Sequence, residues 1–383
     1  MFRVPLAWLQ LKKEKLRFAV ALAGVSFAVV LILMQLGFRE AMFVSAVRWL
    51  DRMRCDVVLI SHDTIFIVAP APFAQARLFQ VLGVPGVASV APIRAALAAF
   101  ENPETHVVRR AYLVGIRPSD DPLSIPDVSR QLSAIATQDR VLFDEKSRPE
   151  FGPIGALVRE GGPLAVELNG RSVRVAGTFS LGSSFGIDGN SVTSDVNFER
   201  LFPKRTRGTI DFGLVRAVSG ESPETLRDRI RKAVPNDVDV LTKPEWIARE
   251  QRYWASTTPI GYVFAFGTVV GLFVGAIIVY QILFADVSDH LPEYATLKAM
   301  GYTDLFVASI VVQQAVILGV CGFLPGALVS YWLYGVAGAA TRLPLELTPE
   351  RVLAVLAVTV GMCTISALFA LRKIRSADPA EIF

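Results

Sequence analysis

The chain has 383 residues, of which 52% are hydrophobic and 19% charged, and its mean hydropathy is +0.45. That balance lies on the apolar side of water-soluble globules and excludes an ordinary soluble protein. The net charge of +4 comes from Lys and Arg mixed with Asp and Glu or standing beside apolar runs, so membrane orientation accounts for it and nucleic-acid binding is not expected.

In chain order, a basic segment (1–17) with Arg3, Lys12, Lys13, Lys15 and Arg17 precedes an uncharged run over 18–38. At about 1.5 Å per residue the run can cross a ~30 Å hydrocarbon core. It exceeds the roughly 7–15-residue apolar core of a signal peptide, so it reads as a retained anchor. Three further spans are predicted over 259–285, 305–336 and 352–371. Arg372, Lys373 and Arg375 in the closing segment 372–383 match the bases before the first span. The positive-inside rule then sets both termini, and the 286–304 loop, in the cytoplasm. It sets 39–258 and the short 337–351 loop outside. Gly267, Gly271 and Gly275 recur every four residues, as do Gly322 and Gly326, which lets helices approach closely within the chain or in a dimer. Pro325 is expected to kink the third span.

The 39–258 segment reads as an α+β domain. DVVLIS (Asp56–Ser61), a helical spacing over Phe73–Leu82 and VASVAPI (Val87–Ile93) make one β-α-β unit. FGLVRAV (Phe212–Val218), a helix over Pro223–Ala233 and a strand over Val238–Leu241 make a second. Ser222-Pro223-Glu224 supplies an N-cap, a first-turn proline and an early acid. Between the two lie strands over Val107–Ile116, Leu164–Leu168, Arg171–Ser180 and Ser191–Val196, with an Asn169-Gly170 hairpin turn. Lys243–Ser256 is predicted as a helix feeding the second span.

The nucleotide-binding pattern GxxxxGK[ST] does not occur, since no lysine follows a glycine, so ATP hydrolysis has to come from another chain. Gly182-Ser183-Ser184-Phe185-Gly186 fits GxSxG, but the only downstream histidine, His290, falls on the other side of the membrane. A Gly/Ser loop is therefore expected rather than a catalytic Ser184. Cys55, Cys321 and Cys363 lack CxxC spacing, and His62, His106 and His290 have no partner at ligand spacing, so neither a disulfide nor a metal site is expected. The spans hold no Asp, Glu, Lys or Arg, which argues against an ion-driven carrier.

ADVSDHLPEYATLKAMGYT (Ala285–Thr303), following Tyr280–Leu283, strongly resembles the corresponding loop of DevC-type ABC transporter permeases. PLAWLQLKKEKLRF (Pro5–Phe18) and RKIRSADPAEIF (Arg372–Phe383) extend the resemblance over the chain. These permeases belong with the four-span FtsX and MacB superfamily. The resemblance implies a homodimeric inner-membrane export permease, not itself an enzyme, that binds no cofactor and pairs with a separate cytoplasmic ATPase carrying ATP and Mg. It also implies a periplasmic adaptor (membrane-fusion protein) reaching an outer-membrane channel, MacB-like transmission of motion to the outer domain, and a lipid-like or other cargo. Asp286, Asp289, His290, Leu291, Glu293, Tyr294, Leu297, Lys298, Met300 and Tyr302 are the expected ATPase contact. The alternatives within the superfamily are an FtsX-like transducer that controls a periplasmic hydrolase and a lipoprotein-release permease. A membrane-anchored hydrolase using Ser184 is the enzyme alternative.

Overall fold

The computed structural model describes residues 15–376, without the side chains at 260, 298 and 372–376. Arg3, Lys12, Lys13 and residues 377–383 lie outside the described residues, as do the side chains of Lys298, Arg372, Lys373 and Arg375.

The chain divides into two units, one of residues 42–258 with 342–344 and one of the remainder. The second is helical. Its long helices are α1 (Lys15–Ala46, which runs on into the first unit), α10 (Pro259–Asp289), α12 (Asp304–Thr341) and α13 (Pro349–Ser376). Each contains a stretch long and apolar enough to cross a membrane. Pro325 sits inside α12, whose helical assignment continues through it. The segment predicted as a 286–304 loop is largely helical: α10 runs to Asp289, and a short helix, α11 (Leu291–Ala299), follows.

The first unit is built on a nine-stranded sheet in the order β11-β1-β10-β3-β4-β8-β5-β7-β6. The strands are β1 (Val57–Ser61), β3 (Val87–Glu101), β4 (Val108–Ile116), β5 (Arg140–Asp144), β6 (Leu164–Leu168), β7 (Arg171–Phe179), β8 (Asn190–Ser194), β10 (Phe212–Ala217) and β11 (Val238–Thr242). A two-stranded pair joins β2 (Phe73–Ala74) to β9 (Thr209–Ile210). The two β-α-β units foreseen in the sequence do not stand side by side. β10 lies antiparallel between β1 and β3, and β1 lies antiparallel between β10 and β11. The units interleave as the four neighbouring strands at one end of the sheet, in the split β-α-β manner.

All five residues of β1 are buried because both faces of this sheet are covered. Val57 and Leu59 meet Leu78 of α3 (Ala76–Val81) and Leu226 and Ile230 of α8 (Pro223–Ala233). Val58 and Ile60 meet Trp49 and Leu50 of α2 (Arg48–Arg52) and Trp246 of α9 (Lys243–Arg252). An apolar run without alternation is what double coverage requires.

The inserted strands continue from β3. A pairing of Phe100 with Leu168 brings β6 back to β3, so β3, β4, β8, β5, β7 and β6 form a ring. Alternate residues from these strands, among them Ala98, Phe100, Leu113, Phe143, Val166 and Val175, share one core. The β6–β7 turn is Asn169-Gly170, with φ of 53° and 74°, the left-handed pair that a two-residue hairpin demands.

Three local expectations are corrected. Phe73–Ala74 is strand, with the helix starting only at Ala76, because Phe73 pairs with Ile210. The Val87–Ile93 strand runs on to Glu101, paired with β4 along its second half. The strand predicted to reach Val196 ends at Ser194, whose hydroxyl accepts the Asn197 N–H and caps α7 (Asp195–Leu201). Helices α4 (Pro126–Ser129), α5 (Leu132–Ala136) and α6 (Ile154–Gly161) and strand β5 were not foreseen.

Candidate functional site

Within the helical unit the five glycines are points of close approach. A Cβ placed on Gly275 would lie 2.6 Å from Ala28 Cβ, and one on Gly267 would lie 2.5 Å from Gln35 Nε2. Gly271 meets Leu31 and Ile32. As α10 advances, its partners on α1 recede, so the two helices run antiparallel. Gly322 faces Val25 and Gly326 faces Val29 and the Ser26 carbonyl, an ascending match that makes α12 parallel to α1. Interhelical attraction in lipid rests on such backbone proximity, because lipid tails compete equally for apolar side chains. The Arg17–Asp289 ion pair ties the start of α1 to the end of α10, which puts those two ends at the same side.

The segment between the second and third spans is a braced joint. His290 interrupts the helix for one residue, and its Nδ1 lies 2.9 Å from the Asp286 carbonyl. The Tyr294 N–H then donates to the His290 carbonyl at 3.0 Å, restarting the ladder as α11. Helix α11 closes at Gly301, with φ of +91°. There the Tyr302 N–H reaches back to the Leu297 carbonyl at 3.1 Å, a closure that favours glycine at the turn. Thr303 starts α12, its hydroxyl accepting the Phe306 N–H at 3.4 Å.

This geometry sorts nine of the ten residues predicted for the ATPase contact, all but Lys298. Tyr294 is 1% exposed and joins Leu283, Val287, Val307 and Val311 in the helical core. His290 is also buried. Leu291 and Leu297 pack partly against the same core, and Asp286 is half-buried. As surface contacts, His290 and Tyr294 are corrected: they hold the short helix in place from beneath. Asp289, Glu293, Met300 and Tyr302 are exposed, Met300 at 64%. Tyr302 stacks on Phe306 at 4.6 Å between ring centres. The inner face is packed into the helical core and the outer face is open.

In the sheet unit, the Gly182–Gly186 loop is organised by a buried carboxylate. Asp144 Oδ1 accepts from the Lys146 and Leu181 N–H groups, and Oδ2 accepts from the Gly182 N–H and Asn190 Nδ2. Asn190 Oδ1 in turn accepts the Trp49 indole N–H at 2.8 Å. Sequence reasoning missed Asp144, although its position next to a Gly/Ser-rich partner loop fits a satisfied buried acid. The Ser184 N–H donates to the Ile187 carbonyl, which closes the loop on itself. One ring nitrogen of each of the three histidines, Nδ1, is engaged elsewhere, in His62 with Asp239, in His106 with Glu101 and in His290 with the Asp286 carbonyl.

A second buried acid, Glu250, lies on the last turn of α9, just before a π-helical turn over Tyr253–Thr257. It is 2% exposed and accepts the Ile67 N–H and the Trp254 indole N–H, both at 3.0 Å. Burial pushes its carboxyl up to about 7, against the pull of those two bonds and of Arg249.

Residues 265–379 match the FtsX-like permease C-terminal family. Over 380 residues the chain is 22% identical to proteins described as uncharacterized ABC transporter permeases from Mycobacterium tuberculosis and Mycobacterium bovis, covering 98% of this chain and 97% of each relative. Among solved structures, the periplasmic region of MacB from Actinobacillus actinomycetemcomitans is 14% identical, covering 53% of this chain and 94% of that one, with a TM-score of 0.35. The extracellular domain of the noncanonic ABC-type transporter YknZ from Gram-positive bacteria is also 14% identical, covering 49% of this chain and 99% of that one, with a TM-score of 0.34. The segment that matches the FtsX-like permease C-terminal family takes in the spans after the first and the braced joint between them, in a chain similar over 98% of its length to proteins described as ABC transporter permeases.

Proposed function

We propose that the chain is the permease subunit of an ABC-type exporter, driven by a separate cytoplasmic ATPase that docks on the exposed face of α11 and the turn after it. The observation that carries this reading is the two-sidedness of the joint: Tyr294 and His290 are buried beneath it, while Asp289, Glu293, Met300 and Tyr302 point outward. A helix fixed to two spans on one side and open on the other is suited to take up a motor's movement as a rigid body. The family match includes this segment, and the absence of GxxxxGK[ST] from the sequence leaves ATP to another subunit.

With the joint in the cytoplasm, both termini are cytoplasmic and the sheet unit is extracytoplasmic. ATPase closure shifts the spans and moves the sheet unit, in the MacB-like manner that the sequence resemblance implies. The same resemblance supports an inner-membrane homodimer, a periplasmic adaptor and an outer-membrane channel beyond it, with a lipid-like or other cargo. Tagged full-length chain purified from its own membranes is expected to bring down an ABC ATPase, identified by mass spectrometry. The Glu293→Arg, Met300→Glu double variant is expected to lose it while remaining folded. A native chain that is folded and brings down no ATPase contradicts the proposal.

A further inference from the structure

One cleft of the sheet unit gathers arginines that the coupling joint does not use. It has a volume of about 340 Å³ and lies along α7, the loop after it and β3. Four guanidinium groups line it, from Arg94, Arg200, Arg205 and Arg207, with Glu199 as the one carboxylate among the lining side chains.

The two inner arginines are held from behind. Arg94 is 5% exposed. Its Nη2 donates to Glu199 at 2.8 Å, and its Nη1, 3.7 Å from Asp195, has no hydrogen-bond acceptor. Arg205 pairs with the fully buried Asp211, lies over the Phe198 ring at 5.5 Å, and leaves its Nε without an acceptor. The outer two are nearer solvent: Arg200 is 3.5 Å from Asp139, with its side chain 34% exposed, and Arg207 is exposed. Both of these N–H groups lie buried beneath the cleft lining, so the outer faces of the guanidinium groups are what an incoming ligand would meet. The cleft also has an apolar wall, made by Phe198, Phe202 and the 63%-exposed Val196.

We propose that this cleft binds the phosphate group of a small organic phosphate, with the organic part against Phe202 and Val196. Several guanidinium forks approaching from different sides suit a phosphate better than a carboxylate, because phosphate offers more oxygens in a tetrahedral array. The volume exceeds what a bare ion needs and falls within the roughly 300–1,000 Å³ of small-molecule sites. The phosphate can come from a lipid headgroup or from a soluble metabolite, and the chemistry of recognition is the same. The inference does not rest on the permease reading.

The test is calorimetric titration of the full-length chain in a non-ionic detergent with inorganic phosphate, glycerol 3-phosphate and dihexanoyl phosphatidic acid. Saturable binding is expected for both organic phosphates, about tenfold weaker in Arg207→Gln and in Arg200→Gln, each of which removes one charge-assisted contact. Unfolding temperatures of these two variants are expected to match the native chain, since both side chains are at the surface. Tighter binding of the phosphatidic acid than of glycerol 3-phosphate assigns a lipid source, and equal binding assigns a soluble one. Absence of saturable binding by all three probes, or binding that neither variant weakens, overturns the proposal.

Discussion

The helical unit and the sheet unit are held together by opposite means. In the sheet unit, aromatic and branched side chains fill cores on both faces of a sheet, and buried acids such as Asp144 tie loops together with several hydrogen bonds each. The helical unit has a buried core too, but many of its large side chains point outward, as Phe266, Phe273, Leu328 and Trp332 do, and backbones meet through glycine. Water drives the first kind of core, whereas lipid gives apolar side chains no reason to leave it. Specificity among the spans therefore rests on small residues, and specificity in the sheet unit on satisfied polar groups.

Substitutions sharpen that contrast. The largest effect is expected from Asp144→Ala, which leaves the Lys146, Leu181 and Gly182 N–H groups without their side-chain acceptor and removes one of the two acceptors of Asn190 Nδ2. A loss on the order of 4 kcal/mol is expected, with hydrogen-exchange protection failing across 181–190 while the spans stay protected. Next, Gly275→Leu forces atoms into Ala28 and Met362, at a cost of about 3 kcal/mol by overpacking. Gly361→Leu, where nothing lies within 4 Å, is the matched control and is expected to change little. Equal effects at 275 and 361 in detergent unfolding would break the contrast.

Glu250 gives a smaller, pH-dependent effect. Its folded pKa of about 7 lies above the 4.5 of a free glutamate, so its contribution is fully present below pH ~4.5 and is lost as the pH rises through ~7. The change across that window is on the order of 3 kcal/mol. Glu250→Gln, which stays neutral, is expected to flatten the stability profile between pH 5 and 8 and to raise stability at the alkaline end. An unchanged slope would show that Glu250 stays charged in the fold. The smallest effect on stability, within about 0.5 kcal/mol, is expected from Glu293→Arg, because the residue is exposed.

Much of this was legible residue by residue. The four spans followed from run length, the α8 start from Ser222-Pro223-Glu224 and the β6–β7 turn from Asn169-Gly170. The interleaving of the two β-α-β units was not legible, since it depends on pairing between strands some 150 residues apart, which no local pattern records. β5 escaped because Arg140 and Asp144 at its ends disguise an apolar centre that pairs in parallel with β7. At the joint, the sequence did not separate a buried inner face from the exposed one. Leu283, Val287, His290, Tyr294 and Leu297 continue the apolar spacing of the second span at intervals of three and four, a signal hidden by the polar atoms of His290 and Tyr294.

The most direct measurement places a photo-crosslinking amino acid in the living cell at Met300, at Tyr302 and, as a control in the sheet unit, at the exposed Val108. Positions 300 and 302 are expected to give adducts with an ABC ATPase, and 108 is expected to give none. ATPase adducts absent from 300 and 302 in a chain that is inserted and folded would contradict the assignment of α11 and its turn as the coupling face.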